Sequence, residues 1–351
     1  MKILVTGGAG FIGSNFIRLL LVKYPEHKII NFDKLTYAGN LENLSDLAHL
    51  PNYSFFKGDI CEPKDIAEVI NGVDAIVNFA AESHVDRSIK SAAPFVFTNV
   101  YGTQILLDCA REAKVSRFVH ISTDEVGGSL EAGDYLDENS RLFPSSPYAA
   151  SKAAAEHFVY AAQHTHGLDT VMTRTCNNYG PYQFPEKLLP LMIANALENK
   201  SLPVYGDGLN VRDWIYVEDN CKALYQVLMH GHSGQVYNIG ARAEKNNLEV
   251  IETILKLLDR PKELITFVAD RPGHDRRYGI NPSKIEQELG WRPAVTFEEG
   301  IGHTINWYLN NQTWLERTRS GQYQGYYQEL YSDREVLKQQ TASNKQLVTN
   351  D

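Results

Sequence analysis

Thr6-Gly7-Gly8-Ala9-Gly10-Phe11-Ile12-Gly13 is the stretch on which the fold turns, because it directly follows a short apolar run, Lys2 to Val5, and opens an amphipathic one, Ile12 to Lys23. A strand, a glycine turn and a helix in that order begin a dinucleotide-binding sheet. Gly7, Gly10 and Gly13 allow the tight turn, close approach of the backbone to a pyrophosphate and close helix-sheet packing; the helix start offers amide donors and a positive dipole to the anion. Alone, the motif also fits an ordinary glycine turn. Asp33, which alone also fits a turn aspartate after a strand, favours the first reading by its placement, since it closes the second apolar run twenty residues after Gly13. An acid there binds both ribose hydroxyls and repels a 2′-phosphate, so the expected cofactor is NAD rather than NADP. Asp59-Ile60 after the third run is placed to meet the adenine edge, or is a plain turn.

Outward from that unit, Lys28 to Phe32, Tyr53 to Phe56, Asp74 to Phe79, Arg117 to Ser122 and Thr170 to Thr175 read as further strands buried on both faces. Between them Pro63 to Ile70, Phe95 to Ala113 and Tyr148 to His166 carry apolar residues at helical spacing. This βαβα order predicts an α/β fold, a Rossmann-like doubly wound parallel sheet. After about residue 180 the texture changes, with Pro181, Pro185, Pro190, Pro203 and the turn Gly206-Asp207-Gly208. A smaller, interleaved substrate-binding domain is expected over 183–210 and 241–296, the NAD-binding domain taking 1–182 with returning segments at about 211–240 and 297–312. Residues 338–351 are polar and aperiodic and are expected to be disordered.

Apolar residues at 43% and charged residues at 22% are ordinary for a globular chain, and a net charge of −9 speaks against a nucleic-acid surface. Cys61, Cys109, Cys176 and Cys221 lie far apart without metal-finger spacing and read as free thiols of a reducing compartment. His164-x-His166 and His230-x-His232 lack metal-ligand spacing, so no metal is expected. No apolar run is long enough for a signal peptide or membrane span, which makes the cytoplasm the expected location.

The chemistry concentrates between residues 121 and 152, in Ile121-Ser122-Thr123-Asp124-Glu125 and Tyr148-Ala149-Ala150-Ser151-Lys152. Tyr148 and Lys152 stand four apart on one helix face. A phenol titrates near ~10, so a base working near neutrality needs its phenolate stabilised by roughly 3 units, about 4 kcal/mol. The Lys152 ammonium and a positive nicotinamide ring are the expected sources. Asp124 and Glu125 end a parallel strand, where open α/β sheets place their ligands, and two carboxyl groups in one pocket divide into an acid and a base. That division suits elimination of water. Each of these features alone also fits a half-exposed helix pair or a solvated loop.

Together they resemble the extended short-chain dehydrogenases/reductases, and within them the dTDP-glucose 4,6-dehydratases, over nearly all of the first 335 residues. The resemblance rests on Thr6 to Gly13, Phe79 to Ser88, Ser122 to Glu125, Tyr148 to Lys152, Asn177 to Lys187, Tyr205 to Trp214 and Asp270 to Tyr278. It implies that Tyr148, helped by Lys152, takes the proton of the sugar 4-hydroxyl as hydride passes from C4 to NAD, and that Thr123 orients the 4-keto oxygen. Glu125 then removes the C5 proton, Asp124 protonates the departing 6-hydroxyl, and hydride returns to C6. It implies cofactor contacts at Phe11, Ile12, Asp33, Lys34, Leu35, Thr36, Asp59, Ile60, Ala80, Ala81, Glu82, Thr98 and Asn178, besides the glycines, Tyr148 and Lys152. Substrate contacts are implied at Ser83, Thr123, Asn177, Lys187, Leu188, Pro203, Tyr205, Arg212, Asn247, Arg271, His274 and Tyr331. Of these, Lys187, Arg212 and Arg271 suit a diphosphate and Tyr205 a stacked base. A homodimer pairing the helices around 95–113 and 148–165 is also implied.

Two departures stand out: Gly127 where the resemblance predicts a tyrosine after the valine, expected to loosen the pocket wall or change how the hexose sits, and Thr175-Cys176 in place of Cys-Ser. The rival readings are a 4-epimerase or UDP-glucuronate decarboxylase, which generally lack Asp-Glu after the threonine, a dehydratase of CDP- or GDP-linked sugars, and a non-catalytic NAD-binding sensor, which often loses the Tyr-Lys pair.

Overall fold

The computed structural model describes residues 1–320, 322–331 and 334–337. Its strands are β1 (Lys2–Thr6), β2 (Lys28–Asp33), β3 (Tyr53–Lys57), β4 (Ala75–Asn78), β5 (Arg117–Thr123), β6 (Thr170–Thr175), β7 (Asn177–Tyr179), β8 (Leu202–Tyr205), β9 (Val211–Tyr216), β10 (Val236–Ile239), β11 (Glu244–Asn246) and β12 (Ile265–Val268). Seven form one sheet in the order β10-β6-β5-β4-β1-β2-β3, with every neighbour pair parallel. Strand order reverses between β1 and β4, and ligands of such sheets bind in the crevice at the carboxyl ends there.

Successive residues of each strand feed opposite cores, which explains the near-continuous apolar runs. Ile3 and Val5 pack with Val77, Val119 and Val171 against Phe16, Leu20, Leu224 and Val227 of the helices Phe11–Lys23 and Val217–His230. Leu4, Ile76, Phe118 and Met172 face the other way, onto Ile66, Leu106, Leu107 and Val159. The edge strand β3 departs from the expectation of burial on both faces, since Ser54 and Lys57 are exposed.

A third core joins Tyr179, Leu189, Ile193, Trp214, Val250 and Ile254 around two small sheets, β11-β9-β7 and β12-β8. Three segments of the expected domain division pack with this third core. Asn177–Tyr179, expected in the first domain, pairs with β9. Trp214 to Tyr216, within the segment 211–240 expected to return to the NAD-binding domain, belongs to β9 of the small sheet, whereas Val236–Ile239 of the same segment joins the large sheet beside β6. The helix Phe297–Asn310 buries Phe297, Ile301, Ile305 and Tyr308 in the third core, not against the large sheet. Its apolar stripe shows that a helix is buried, and tertiary packing decides where. The tail over 338–351 lies outside the described residues. Among the described residues no helix is long and apolar enough to cross a membrane, and no cluster of potential metal ligands occurs.

Candidate active site

A cavity of about 350 Å³ opens at the switch point and runs from the glycine turn to the end of β5. Gly7, with φ 66°, is in the left-handed region, and a Cβ on it would stand 2.7 Å from the Ala80 backbone nitrogen. A Cβ on Gly13 would collide with the Gly7 carbonyl. The turn is therefore as tight as the motif requires. Asp33 is held by the backbone N–H groups of Ala9 (2.9 Å) and Leu35 (2.7 Å), and burial raises its pKa. Lys34 reaches back to Asp59 at 2.6 Å, and Asp59 also accepts from the Cys61 N–H.

Gly10, Phe11, Ile12, Lys34, Thr36, Asp59, Ile60, Ala80, Ala81, Glu82, Thr98 and Asn178 share the wall with these glycines and Asp33. Leu35 does not; its backbone, at φ 57°, donates to Asp33. The wall fits a dinucleotide. Its glycines form a cradle that side chains would fill, and the buried Ser122 Oγ and Asn178 Oδ1 that line it lack hydrogen-bond partners. Buried polar atoms without protein partners call for ligand ones.

The other end of the cavity is built by two elements. β5 delivers Thr123, whose Oγ accepts from the Glu125 N–H (3.3 Å) and donates to Asp124 Oδ1 (3.3 Å), turning both carboxyl groups into the cavity. The helix Pro147–His166 starts where Ser146 Oγ caps the Ala149 N–H (3.1 Å) with Pro147 in the first turn, and it presents Tyr148 and Lys152 to the same cavity. Burial, reinforced by the charge of Glu125, pushes Asp124 up to about 8. Burial raises Glu125 too, but the cations Arg271, Lys187 and Arg212 oppose the rise. The environments thus differ in kind: a neighbouring negative charge adds to the rise of Asp124, whereas three cations work against that of Glu125. Asp124 Oδ2 and Glu125 Oε2 are buried without partners.

The expected support of the Tyr148 phenolate by Lys152 takes a different form. Burial and the Glu125 charge raise the phenol above its ordinary range, and it is the Thr123 hydroxyl, by a hydrogen bond, that opposes the rise. Lys152 instead donates to the Ile121 carbonyl of β5 at 2.6 Å and faces His120 Nε2 at 3.5 Å, and burial lowers its pKa to about 8. An ammonium in an apolar interior takes the nearest carbonyl.

A family model described as GDP-mannose 4,6 dehydratase matches residues 4–304. The dTDP-glucose 4,6-dehydratase of Shigella flexneri is 49% identical over 362 aligned positions, covering 95% of this chain and 100% of that one. The chain belongs to the dTDP-glucose 4,6-dehydratase family. DesIV, the dTDP-glucose 4,6-dehydratase of Streptomyces venezuelae solved with NAD bound, superposes with a TM-score of 0.89 at 50% identity, covering 91% of this chain and 100% of that one. The UDP-glucose 4-epimerase of Thermus thermophilus, also solved with NAD, shares the fold at a TM-score of 0.82 with 29% identity, covering 89% and 100%.

For a dTDP-glucose 4,6-dehydratase family member, the implied substrate contacts divide into two groups. Ser83, Thr123, Asn177, Lys187 and Leu188 line the cavity, with Lys187 Nζ donating to the Ser83 carbonyl at 2.7 Å. Pro203, Tyr205, Arg212, Asn247, Arg271, His274 and Tyr331 lie outside its wall. Arg212 lies 4.1 Å over the Tyr278 ring and donates to the Val211 and Asp275 carbonyls. Arg271 pairs with Asp86 at 3.7 Å, and His274 with Asp270 at 2.6 Å. Tyr205, expected to offer a ring to a base, has the Arg334 guanidinium 4.2 Å from its ring centre and its hydroxyl on Asp86 and Tyr331. Pro203 lies on β8 and Asn247 opens the helix Asn247–Leu257. Asp86 and Asp275, which anchor this group, escaped the sequence reading as individual residues, although both fall inside quoted blocks.

Gly127 does not loosen the cavity wall of this dTDP-glucose 4,6-dehydratase relative. It is buried off the cavity, and Leu136 Cδ1 lies 2.7 Å from where its Cβ would stand, so that side chain fills the space. Thr175 bridges Asn220 and Asn178 through its hydroxyl, at 3.0 Å each, and so orients a wall residue.

Proposed function

We propose that the protein converts dTDP-glucose to dTDP-4-keto-6-deoxyglucose and water with recycling of NAD. The observation that carries this is the meeting, in one cavity with the dinucleotide turn, of a buried phenol, a threonine hydroxyl and two carboxyl groups of divided character. Gly7, Gly10, Gly13 and Asp33 hold NAD, which supplies reversible hydride exchange with the sugar. Tyr148 takes the 4-hydroxyl proton and Thr123 hydrogen-bonds the 4-oxygen. Once C4 is a ketone the C5 proton is acidic; Glu125 removes it while Asp124 gives its proton to the departing 6-hydroxyl. Lys187, Arg212 and Arg271 are the cations assigned to the diphosphate, and their combined pull on Glu125 keeps that group ionisable. Incubating purified protein with dTDP-glucose should generate the strong alkaline absorbance of a 4-keto sugar; its absence with NAD supplied would refute the assignment.

Two further outcomes follow. Asp33→Ala should weaken NAD binding by roughly 10- to 100-fold, the loss expected for hydrogen bonds to a charged group; unchanged affinity by titration calorimetry would refute the cofactor role. Asp124 acts as an acid only while protonated, and its pKa stands at about 8. Below that pH the acid is loaded, and above it the elimination rate should fall about tenfold per pH unit. A rate that holds level to higher pH would remove Asp124 from the acid role.

The dimer reading extends the same proposal. Val96, Phe97 and Tyr101 on the helical run Ala93–Glu112, and Phe158 and Tyr160 on Pro147–His166, are exposed apolar or aromatic side chains on the two helices assigned to the partner copy. Four free thiols support a reducing compartment such as the cytoplasm.

A further inference from the structure

Behind Lys152 a buried polar chain runs across three parallel strands. The Asn78 carboxamide on β4 meets Thr6 Oγ on β1 at 2.6 Å with one end and His120 Nδ1 on β5 at 3.2 Å with the other. His120 Nε2 faces the Lys152 ammonium at 3.5 Å. Thr6, Asn78, His120 and Lys152 are all buried to within a few per cent, so each must find its partners within this chain. As the amide stands, Asn78 Nδ2 faces Nδ1 and Thr6 donates to Oδ1. That leaves the ring proton on Nε2, one donor aimed at another in an apolar interior. Half a turn of the carboxamide, which occupies the same shape and lets the Thr103 hydroxyl at 3.4 Å donate where it now accepts, removes the conflict at the ring. Nδ1–H then donates to the Asn78 oxygen, the amide nitrogen donates to Thr6, and a bare Nε2 accepts from Lys152.

We propose that His120 is a positioning residue for Lys152: held as the neutral Nδ1–H tautomer by Asn78, it accepts from the ammonium at Nε2 and, with the Ile121 carbonyl, fixes where that charge stands relative to Tyr148. The inference rests on the dehydratase reading of Tyr148 and Lys152. Burial and the neighbouring ammonium keep the ring uncharged. The other charged groups around Lys152 are Glu156, one turn along its helix and held by Arg174 of β6 at 2.8 Å, and, through Tyr148, the carboxyl groups of Asp124 and Glu125. None of them replaces the strand-side acceptor. Without it the ammonium keeps only the Ile121 carbonyl of that strand, and a displaced charge lends less of the support expected of it to the phenolate, because the interaction falls with distance.

Two substitutions separate the ring nitrogens, because asparagine places a polar atom near Nδ1 and glutamine near Nε2. In NAD-loaded protein, His120→Asn should move the limb of the kcat/KM pH profile that reports the phenol up by about one pH unit. It should also lower kcat about tenfold at neutral pH with little change in KM. His120→Gln should bring the limb back toward the wild-type position. NAD content and thermal unfolding establish that both variants fold. A merely structural histidine would leave the limb where it is in both, and that result overturns the proposal. Histidine-ring nitrogen NMR of wild-type holoprotein, assigned by the signal missing in His120→Gln, should show Nε2 unprotonated, and a protonated Nε2 overturns it equally. If wild-type protein left dTDP-glucose untouched, the dehydratase reading alone would fall, and the ring nitrogens would still decide the tautomer.

Discussion

Tyr148→Phe is expected to abolish the first oxidation, lowering turnover about 10²- to 10⁴-fold, the contribution of one positioned general base. The variant isolates chemistry from folding. The Tyr148 ring packs edge-on against Phe95, with centroids 6.3 Å apart and planes at 75°, and phenylalanine keeps that contact. NAD content and thermal stability should therefore stay close to wild type while the absorbance of reduced nicotinamide fails to develop on adding dTDP-glucose. Hydride uptake at the wild-type rate would show that some other group takes the 4-hydroxyl proton.

Glu125→Gln is expected to split the reaction in two. The amide preserves shape and removes the base, so elimination should slow about 10²- to 10⁴-fold while C4 oxidation continues and reduced cofactor accumulates on the enzyme. The substitution also has an electrostatic consequence. The Glu125 charge raises both the Tyr148 phenol and Asp124, so its loss lowers both groups. Oxidation should then reach its full rate at lower pH than in wild type. Rapid-mixing absorbance across a pH series separates the two steps, and wild-type turnover in the variant would refute the assignment of Glu125.

How much of this was legible beforehand depends on how local each determinant is. The glycine turn, Asp33 at the end of β2 and the Thr-Asp-Glu turn at the end of β5 are fixed by neighbours a few residues away, and strand alternation feeds both faces of the sheet wherever it falls. The destination of β9 was not legible, because Trp214 and Tyr216 fit an apolar strand in either sheet and only pairing with Asn177–Tyr179 settles it. Lys152 illustrates the same limit at a single atom. Helical spacing brings it near Tyr148, but the Ile121 carbonyl and the His120 ring that receive its ammonium come from a different strand. The role of Leu136 beside Gly127 was hidden for a related reason, since a cavity is filled by whichever side chain the fold brings to it.

The last strand of the large sheet, β10, comes from Val236–Ile239, after the whole of β7, β8 and β9 has been made. On the ribosome, β6 must wait as an uncovered edge, with Val171 and Met172 flanking unpaired backbone groups, until that segment emerges. Such an edge is a template for pairing with another nascent chain. The residues proposed for catalysis are complete in sequence by Lys152, yet the sheet that carries them stays vulnerable to misassembly until synthesis has passed Ile239.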